Sequence, residues 1–465
     1  MTDRPQPLIV PDLMPHRLVF LNRGRNPGRR RGIAGIVAMV ALAAAAALAW
    51  YEAPTGAPPR AAIFEIFVVT YLVIAIGRLP GFRIDRAGAA LVGASLMLAV
   101  GGIGIEDISR VIDFDTVALL LGMMIVVGNL RLSGFFRLVT GWAVARARQP
   151  VALLAAVTLT SGVFSAFLLN DTICLVMTPL VADVARRLER NPVPYLLAVA
   201  MAANIGSVAT ITGNPQNILI GGFSHIPYGA FAAALAPVAA AGLVVTIALI
   251  AFCYPGEFRG RRELQFVSRR PAHMHAPLAI KSVLVVIVMM AAFFAGQPPA
   301  KVALIAGGFM LLTRIVRSER IYREIDWPLL LMFAGLFVVV AGFENALLTP
   351  DLVAAIGRAG LADKGMLSAV TAILSNLVSN VPAVLVLRPF VGQTGDPQHA
   401  WLIVAMASTL AGNLTVLGSV ANLIVVQLAR AEGVTIGFWE YFRVGMPLSL
   451  LTTLLGLWWL SVGAP

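Results

Sequence analysis

The stretch "SAFLLNDTICLVMTPLV", Ser165 to Val181, carries Asn170-Asp171-Thr172 in the middle of an apolar run. An ionised carboxylate at the centre of a bilayer costs roughly 2.5–3.5 kcal/mol on insertion scales. Side chains of these types at such a depth point to ligand chemistry. An amide offers both donors and acceptors, a hydroxyl does the same, and a carboxylate takes up a cation or a proton. A second polar interruption, Ser379-Asn380-Val381-Pro382, lies in "SNLVSNVPAVLVLRPFV". Two more break otherwise apolar runs, Thr212-Gly213-Asn214-Pro215-Gln216-Asn217 and Leu417-Gly418-Ser419-Val420-Ala421-Asn422. Pro215 removes a backbone donor, and Gly213 permits unusual backbone angles. Backbone opened inside a membrane must be satisfied by side chains, a ligand or an ion. Freed carbonyls suit a small cation, and half-helix N-termini suit an anion. A simpler role stands beside this one: Asp171, Thr172, Asn214 and Asn217 are all good helix caps.

The elements that must hold these residues follow from composition. The chain has 465 residues, 59% hydrophobic and 12% charged. Apolar runs of about 17–25 residues, the length of a membrane-crossing helix, recur along it. The expected fold class is an all-α polytopic membrane protein of about eleven transmembrane helices. The crossings fall at 33–52, 61–77, 87–103, 115–130, 195–222, 230–254, 279–296, 301–314, 327–345, 399–428 and 441–462. Two further stretches, 150–187 and 365–391, read as re-entrant hairpins with polar tips. With the N-terminus inside, 29 of the 35 Lys and Arg residues fall in inside loops and 6 outside. A full crossing by either hairpin would collapse that asymmetry, so the positive-inside rule supports both. The net charge of +12 is thus an orientation signal rather than a nucleic-acid surface. Residues 1–32 form a basic cytoplasmic tail without the features of a signal peptide. Cys174 and Cys253 sit in apolar context, which excludes a disulfide framework.

The chain repeats itself. Shifted by 210 residues, 165–181 falls on 375–391 with Ser165/Ser375, Asn170/Asn380 and Pro179/Pro389 coinciding. Shifted by 205, Val199-Ala200-Met201-Ala202 falls on Val404-Ala405-Met406-Ala407, and Thr210, Gly213 and Asn217 fall on Thr415, Gly418 and Asn422. The units are 61–254 and 279–462, joined by a basic linker over 255–278 and preceded by an extra first helix at 33–52. Each holds five crossings plus a hairpin. Five is odd, so the second copy is inverted, as in many secondary transporters with midplane substrate sites.

At these interruptions, "FLLNDTICLVMTPLV", "RNPVPYLLAVAMAANIGSVATITGNPQNILIG", "SNLVSNVPAVLVL" and "LGSVANLIVV" resemble the ion transporter superfamily with the citrate-transporter-like domain. That group includes arsenical-pump membrane proteins, sodium/proton antiporters and divalent-anion:sodium symporters. The likeness runs over roughly 61–462 and is strongest to bacterial anion-transporter permeases. It implies a homodimer of protomers with a scaffold and a moving part. It implies substrate at the tips, carried onto Asn170, Asp171, Thr172, Ser379, Asn380 and Pro382. It implies a coupling cation at the breaks, carried onto Gly213, Asn214, Asn217, Gly418, Ser419 and Asn422. The chain departs from the symporter branch at Leu169, where Ser is expected, at Asp171, and at Val381-Pro382, where Thr is expected. An ionised Asp171 would repel a dicarboxylate.

The expected function is ion-coupled secondary transport of a small inorganic or organic anion across the bacterial inner membrane, N-terminus cytoplasmic and C-terminus outside. Sodium or a proton is the expected coupling ion; no other cofactor or metal is expected. Arsenite efflux or sodium/proton antiport is the alternative. Intramembrane catalysis is not expected: H-E-x-x-H, G-x-S-x-G and G-x-G-D motifs are absent from the spans, as is a G-x-x-x-x-G-K-[ST] loop for ATP.

Overall fold

The computed structural model describes residues 60–77, 84–259, 274–349, 363–392 and 394–462. The expected tail (1–32), first crossing (33–52) and linker positions 260–273 lie outside them. Among the described residues there are helices and turns and no strand.

Each apolar segment expected from residue 61 onward coincides with a helix or a pair of helices. The first set is α1 (Arg60–Ile76), α2 (Arg86–Ala99), α3 (Phe114–Leu132), α4 (Phe135–Ala145), α5 (Pro150–Phe167), α6 (Asn170–Arg187), α7 (Pro192–Ser207), α8 (Pro215–Ser224) and α9 (Tyr228–Cys253). The second is α10 (Ala276–Phe294), α11 (Pro299–Leu311), α12 (Trp327–Leu347), α13 (Lys364–Val378), α14 (Asn380–Val391), α15 (Pro397–Ala411), α16 (Val420–Ala431) and α17 (Phe438–Val462). Both stretches expected as hairpins are helix pairs, α5–α6 and α13–α14, and the spans at 195–222 and 399–428 are broken at the polar interruptions. Among the described residues six helices, α3, α5, α9, α10, α12 and α17, are long and apolar enough to cross a membrane.

Caps fix the boundaries. Asp85, Asp113, Asp326, Asp363 and Asp396 each accept a bond from a backbone N–H in the first turn of the following helix. Pro237 and Pro447, 210 residues apart, interrupt α9 and α17 at matching places.

The helices pack in two groups. In one, α3 lies along α11 and α12 along α2, with α1 and α10 flanking. Gly122 permits the first contact, since a Cβ there would stand 2.3 Å from the Ala303 carbonyl oxygen. In the other, each hairpin packs on its broken span, α5–α6 on α7 and α13–α14 on α15, with α9 and α17 against them. Every residue of α7 from Val193 to Ser207 is buried. A helix that is apolar and buried on all sides belongs at the centre of a bundle. α4 lies between the crossing expected at 115–130 and the hairpin expected at 150–187, where the sequence shows no span. Its 11 residues are too short to cross, and it buries one stripe, Phe136, Thr140 and Val144.

Candidate functional site

The two breaks are built alike. After α7 the chain turns through Ile211–Gly213 and restarts as α8; after α15 it turns through Val416–Gly418 and restarts as α16. A Cβ on Gly213 would meet the Ser207 carbonyl oxygen at 2.2 Å, and one on Gly418 the Gly412 carbonyl oxygen at 2.8 Å. Only glycine lets each turn fold back this closely on its own helix. The Asn217 amide donates to the Ser207 and Thr210 carbonyls at 3.1 and 3.0 Å. The Asn422 amide donates to the Gly412 and Thr415 carbonyls, 205 positions on, at 2.7 and 3.1 Å. Asn217 and Asn422 therefore do not cap the second half-helices; they tie up the carbonyls freed by the first. Capping falls to Asn214, which accepts from Asn217 N at 2.8 Å, and to Ser419, which accepts from Ala421 N at 3.3 Å.

The hairpins are pinned to the breaks in parallel fashion. Ser165 Oγ donates to the Ala203 carbonyl at 2.5 Å and Ser375 Oγ to the Ser408 carbonyl at 3.0 Å. Thr210 Oγ1 donates to the Ala166 carbonyl, and Asn376 Nδ2 donates to the Ala411 carbonyl at 2.9 Å. At the first tip Leu169 stands in the N-cap position with no side-chain cap, and Asp171 lies in the first turn of α6. The capping role open to Asp171 and Thr172 is thus not used. At the second tip Ser379 adopts φ 80°, ψ 159°, a region that costs an L-residue about 1–3 kcal/mol. Asn380 Oδ1 stands 2.6 Å from the Ser375 hydroxyl, whose single proton is shared between it and the Ser408 carbonyl. The Tyr71 hydroxyl on α1 reaches the Pro382 carbonyl at 3.4 Å.

Asn204, near the end of α7, joins the pieces. Its Oδ1 accepts from Asn170 Nδ2 at 3.2 Å and from Ser419 Oγ at 3.1 Å. Its Nδ2 donates to Asn413 Oδ1 and Asn422 Oδ1, each at 2.9 Å. All four hydrogen-bonding positions of the amide are filled. Thr409, 205 positions on, accepts from Asn214 Nδ2 and Gln216 Nε2, each at 3.2 Å. The contact between Asn204 and Ser419 is therefore mirrored by the one between Thr409 and Asn214. The first break joins through Ser207, whose hydroxyl donates to the Asn204 carbonyl at 2.7 Å and accepts from Asn214 Nδ2 at 2.9 Å, so the first tip and both breaks meet in one buried network of amides and hydroxyls. The second tip reaches it through Ser375 and the Ser408 carbonyl, next to Thr409. Three acceptor oxygens here, Asn170 Oδ1, Asn217 Oδ1 and Asn376 Oδ1, are buried and accept no hydrogen bond from the described residues.

No Lys or Arg enters this network. Asp171, the neighbour of Asn170 in sequence, is half-buried, and its carboxylate makes no hydrogen bond or ion pair among the described residues. Asp326 at the start of α12 and Arg86 at the start of α2 are the charged groups that act on it. Towards the other end of the hairpins, Arg388 lies 4.6 Å over the Phe223 ring and within the electrostatic reach of Glu344. No group of three or more His, Cys, Asp or Glu residues among the described residues is placed to hold a metal ion. Asn204, Ser207, Thr409 and Asn413 were not among the residues expected from sequence. Asn204, Ser207 and Thr409 lie inside helices rather than at an interruption, and Asn413 lies between the end of α15 at Ala411 and the turn that follows.

Paired hairpins, paired broken helices and a polar centre in an apolar bundle define a polytopic helical membrane transporter. Comparison with known proteins narrows this. Residues 71–411 match the CitMHS family, described as "Citrate transporter", and the chain belongs to that family. It is 30% identical over 416 residues to the 46 kDa membrane protein of Mycobacterium leprae, covering 83% of this chain and 95% of that one. It is 28% identical over 462 residues to the silicon efflux transporter LSI3 of Oryza sativa subsp. japonica, covering 84% and 95%. Among solved structures, the YdaH transporter of Alcanivorax borkumensis superposes with a TM-score of 0.54 at 16% identity, covering 88% and 99%. That likeness concerns the fold.

Proposed function

We propose that this protein is an ion-coupled secondary transporter that moves a small inorganic or organic anion by alternating access. Substrate binds between the two hairpin tips, at Asn170, Asp171, Thr172, Ser379, Asn380 and Pro382. The observation that carries this is the network centred on Asn204, which holds the first tip and both breaks together in the bundle centre. Sodium is the coupling ion that suits the buried, unbonded acceptor oxygens of Asn170, Asn217 and Asn376, held beside the breaks at Gly213–Asn217 and Gly418–Asn422. A proton on Asp171 is the other.

The full architecture belongs to the same reading. It has about eleven crossings and two inverted repeats, in a homodimer in the bacterial inner membrane, with the N-terminus cytoplasmic and the C-terminus outside. The matching bonds at positions 205 and 210 apart support the repeats. In this reading the α1–α3 and α10–α12 group is the scaffold, and the hairpins with their broken helices move.

A network built of amides and hydroxyls, with no Lys or Arg among the described residues in it, does not favour a multiply charged anion. It suits a weakly charged oxyanion or hydroxylated species, whose O–H and O⁻ groups amides and hydroxyls can match. Asp171, without a partner among the described residues, favours a second reading, efflux of such a species in exchange for a proton or sodium. Silicon efflux by the rice relative and the arsenical-pump resemblance point the same way. Uptake and efflux in proteoliposomes, over a panel of anions with imposed sodium or proton gradients, tests both readings. Gradient-driven accumulation of one panel member supports symport, and gradient-driven extrusion supports exchange. Movement of no panel member under either gradient contradicts both.

A further inference from the structure

The segment between α11 and α12, "LTRIVRSERIYREIDW", repeats arginine every third residue, at Arg314, Arg317, Arg320 and Arg323. Nothing in the transport reading uses it. It folds around a cavity of about 510 Å³ lined by Ile315, Val316, Arg317, Glu319, Arg320 and Arg323. Of the three carboxylates in the segment, Glu324 is held by Arg131 at 2.7 Å and Asp326 caps α12. Glu319 is the carboxylate left on the cavity wall, beside the guanidinium groups of Arg317 and Arg320. Arg314, Arg317 and Arg320 enter no ion pair among the described residues. A concave surface with this surplus of planar donors matches a phosphate group, which guanidinium binds in a bidentate manner.

The rim says where the phosphate comes from. Ile315 on the cavity wall is 45% exposed, and Leu312 and Trp327, at the two ends of the segment, are 75% and 50% exposed. The indole N–H of Trp327 donates to the Tyr322 carbonyl at 3.1 Å, which ties this half-exposed ring to the arginine segment. Apolar and aromatic side chains beside a basic pocket, at the point where one helix leaves the apolar layer and the next enters, are the surroundings of a lipid headgroup. A soluble anion needs the arginines and not the apolar rim.

We infer that this cavity is a binding site for the phosphate of an anionic phospholipid, with its acyl chains against Leu312, Ile315 and Trp327. The test compares wild-type protein, R317Q/R320Q and the control R137Q/R148Q, all purified in neutral detergent. Each is titrated with short-chain phosphatidylglycerol, phosphatidylcholine or inorganic phosphate while thermal stability is followed. Phosphatidylglycerol is expected to stabilise wild type and the control, with salt weakening the effect. In R317Q/R320Q the apparent affinity falls roughly fivefold per arginine removed. An equal response of R317Q/R320Q and wild type overturns the site, as does loss of the response in the control. An equal response of wild type to phosphatidylcholine, or to inorganic phosphate alone, overturns the assignment to an anionic lipid.

Discussion

Asn204 and Asp171 divide the work at the residue scale. Asn204 is 1% exposed and fully bonded, and its four partners lie on α6, on α16 and in the second break. Asn204→Ala leaves those groups without partners, which costs about 1–3 kcal/mol. We expect lower thermal stability in detergent together with loss of transport; full stability with full transport would contradict the hub role. Asp171 is different, because nothing among the described residues bonds it and it caps no helix. Asp171→Asn keeps size and polarity and removes the charge. The variant should insert normally, and its transport should lose the wild-type dependence on pH or on sodium. Vesicle uptake measured against both gradients checks this, and an unchanged dependence places the coupling elsewhere.

At the scale of elements, close helix contact sets what can be substituted. A Cβ at position 122 would stand 2.3 Å from Ala303 O, so Gly122→Ala must push α3 and α11 apart. Overpacking of this kind costs about 1–3 kcal/mol, readable as a lower unfolding temperature in detergent. An unchanged unfolding temperature would show that the two helices are not held at that distance. The sequence announced most elements because apolar runs end at charged loops, and because Asn, Gly and Pro interrupt the runs where helices break. Asn170, Asn214 and Asn217 were legible for that reason. α4 was not, since 11 residues with arginines on both sides carry neither the length nor the apolarity of a span. Asn204 and Thr409 were not either. They lie within continuous helix, and only the crossing of α7 and α15 shows that they meet the breaks of opposite halves. The division of roles between Asn214, which caps, and Asn217, which bonds the freed carbonyls, was hidden too, because which of two amides caps depends on the fold of the turn.

For the whole molecule, the central claim is that the two hairpin tips form one transport site, although Asn170 and Asn380 lie 210 residues apart. Each tip is pinned to its broken helix by the same serine-to-carbonyl bond, and the broken helices are joined through Asn204 and Thr409. Neither half completes the network alone. Gradient-driven transport in proteoliposomes by wild type, Asn170→Ala and Asn380→Ala, with the amount of folded, inserted protein matched, tests this most directly. The account predicts that each single variant abolishes transport while inserting as wild type does. Wild-type transport by either variant would contradict it.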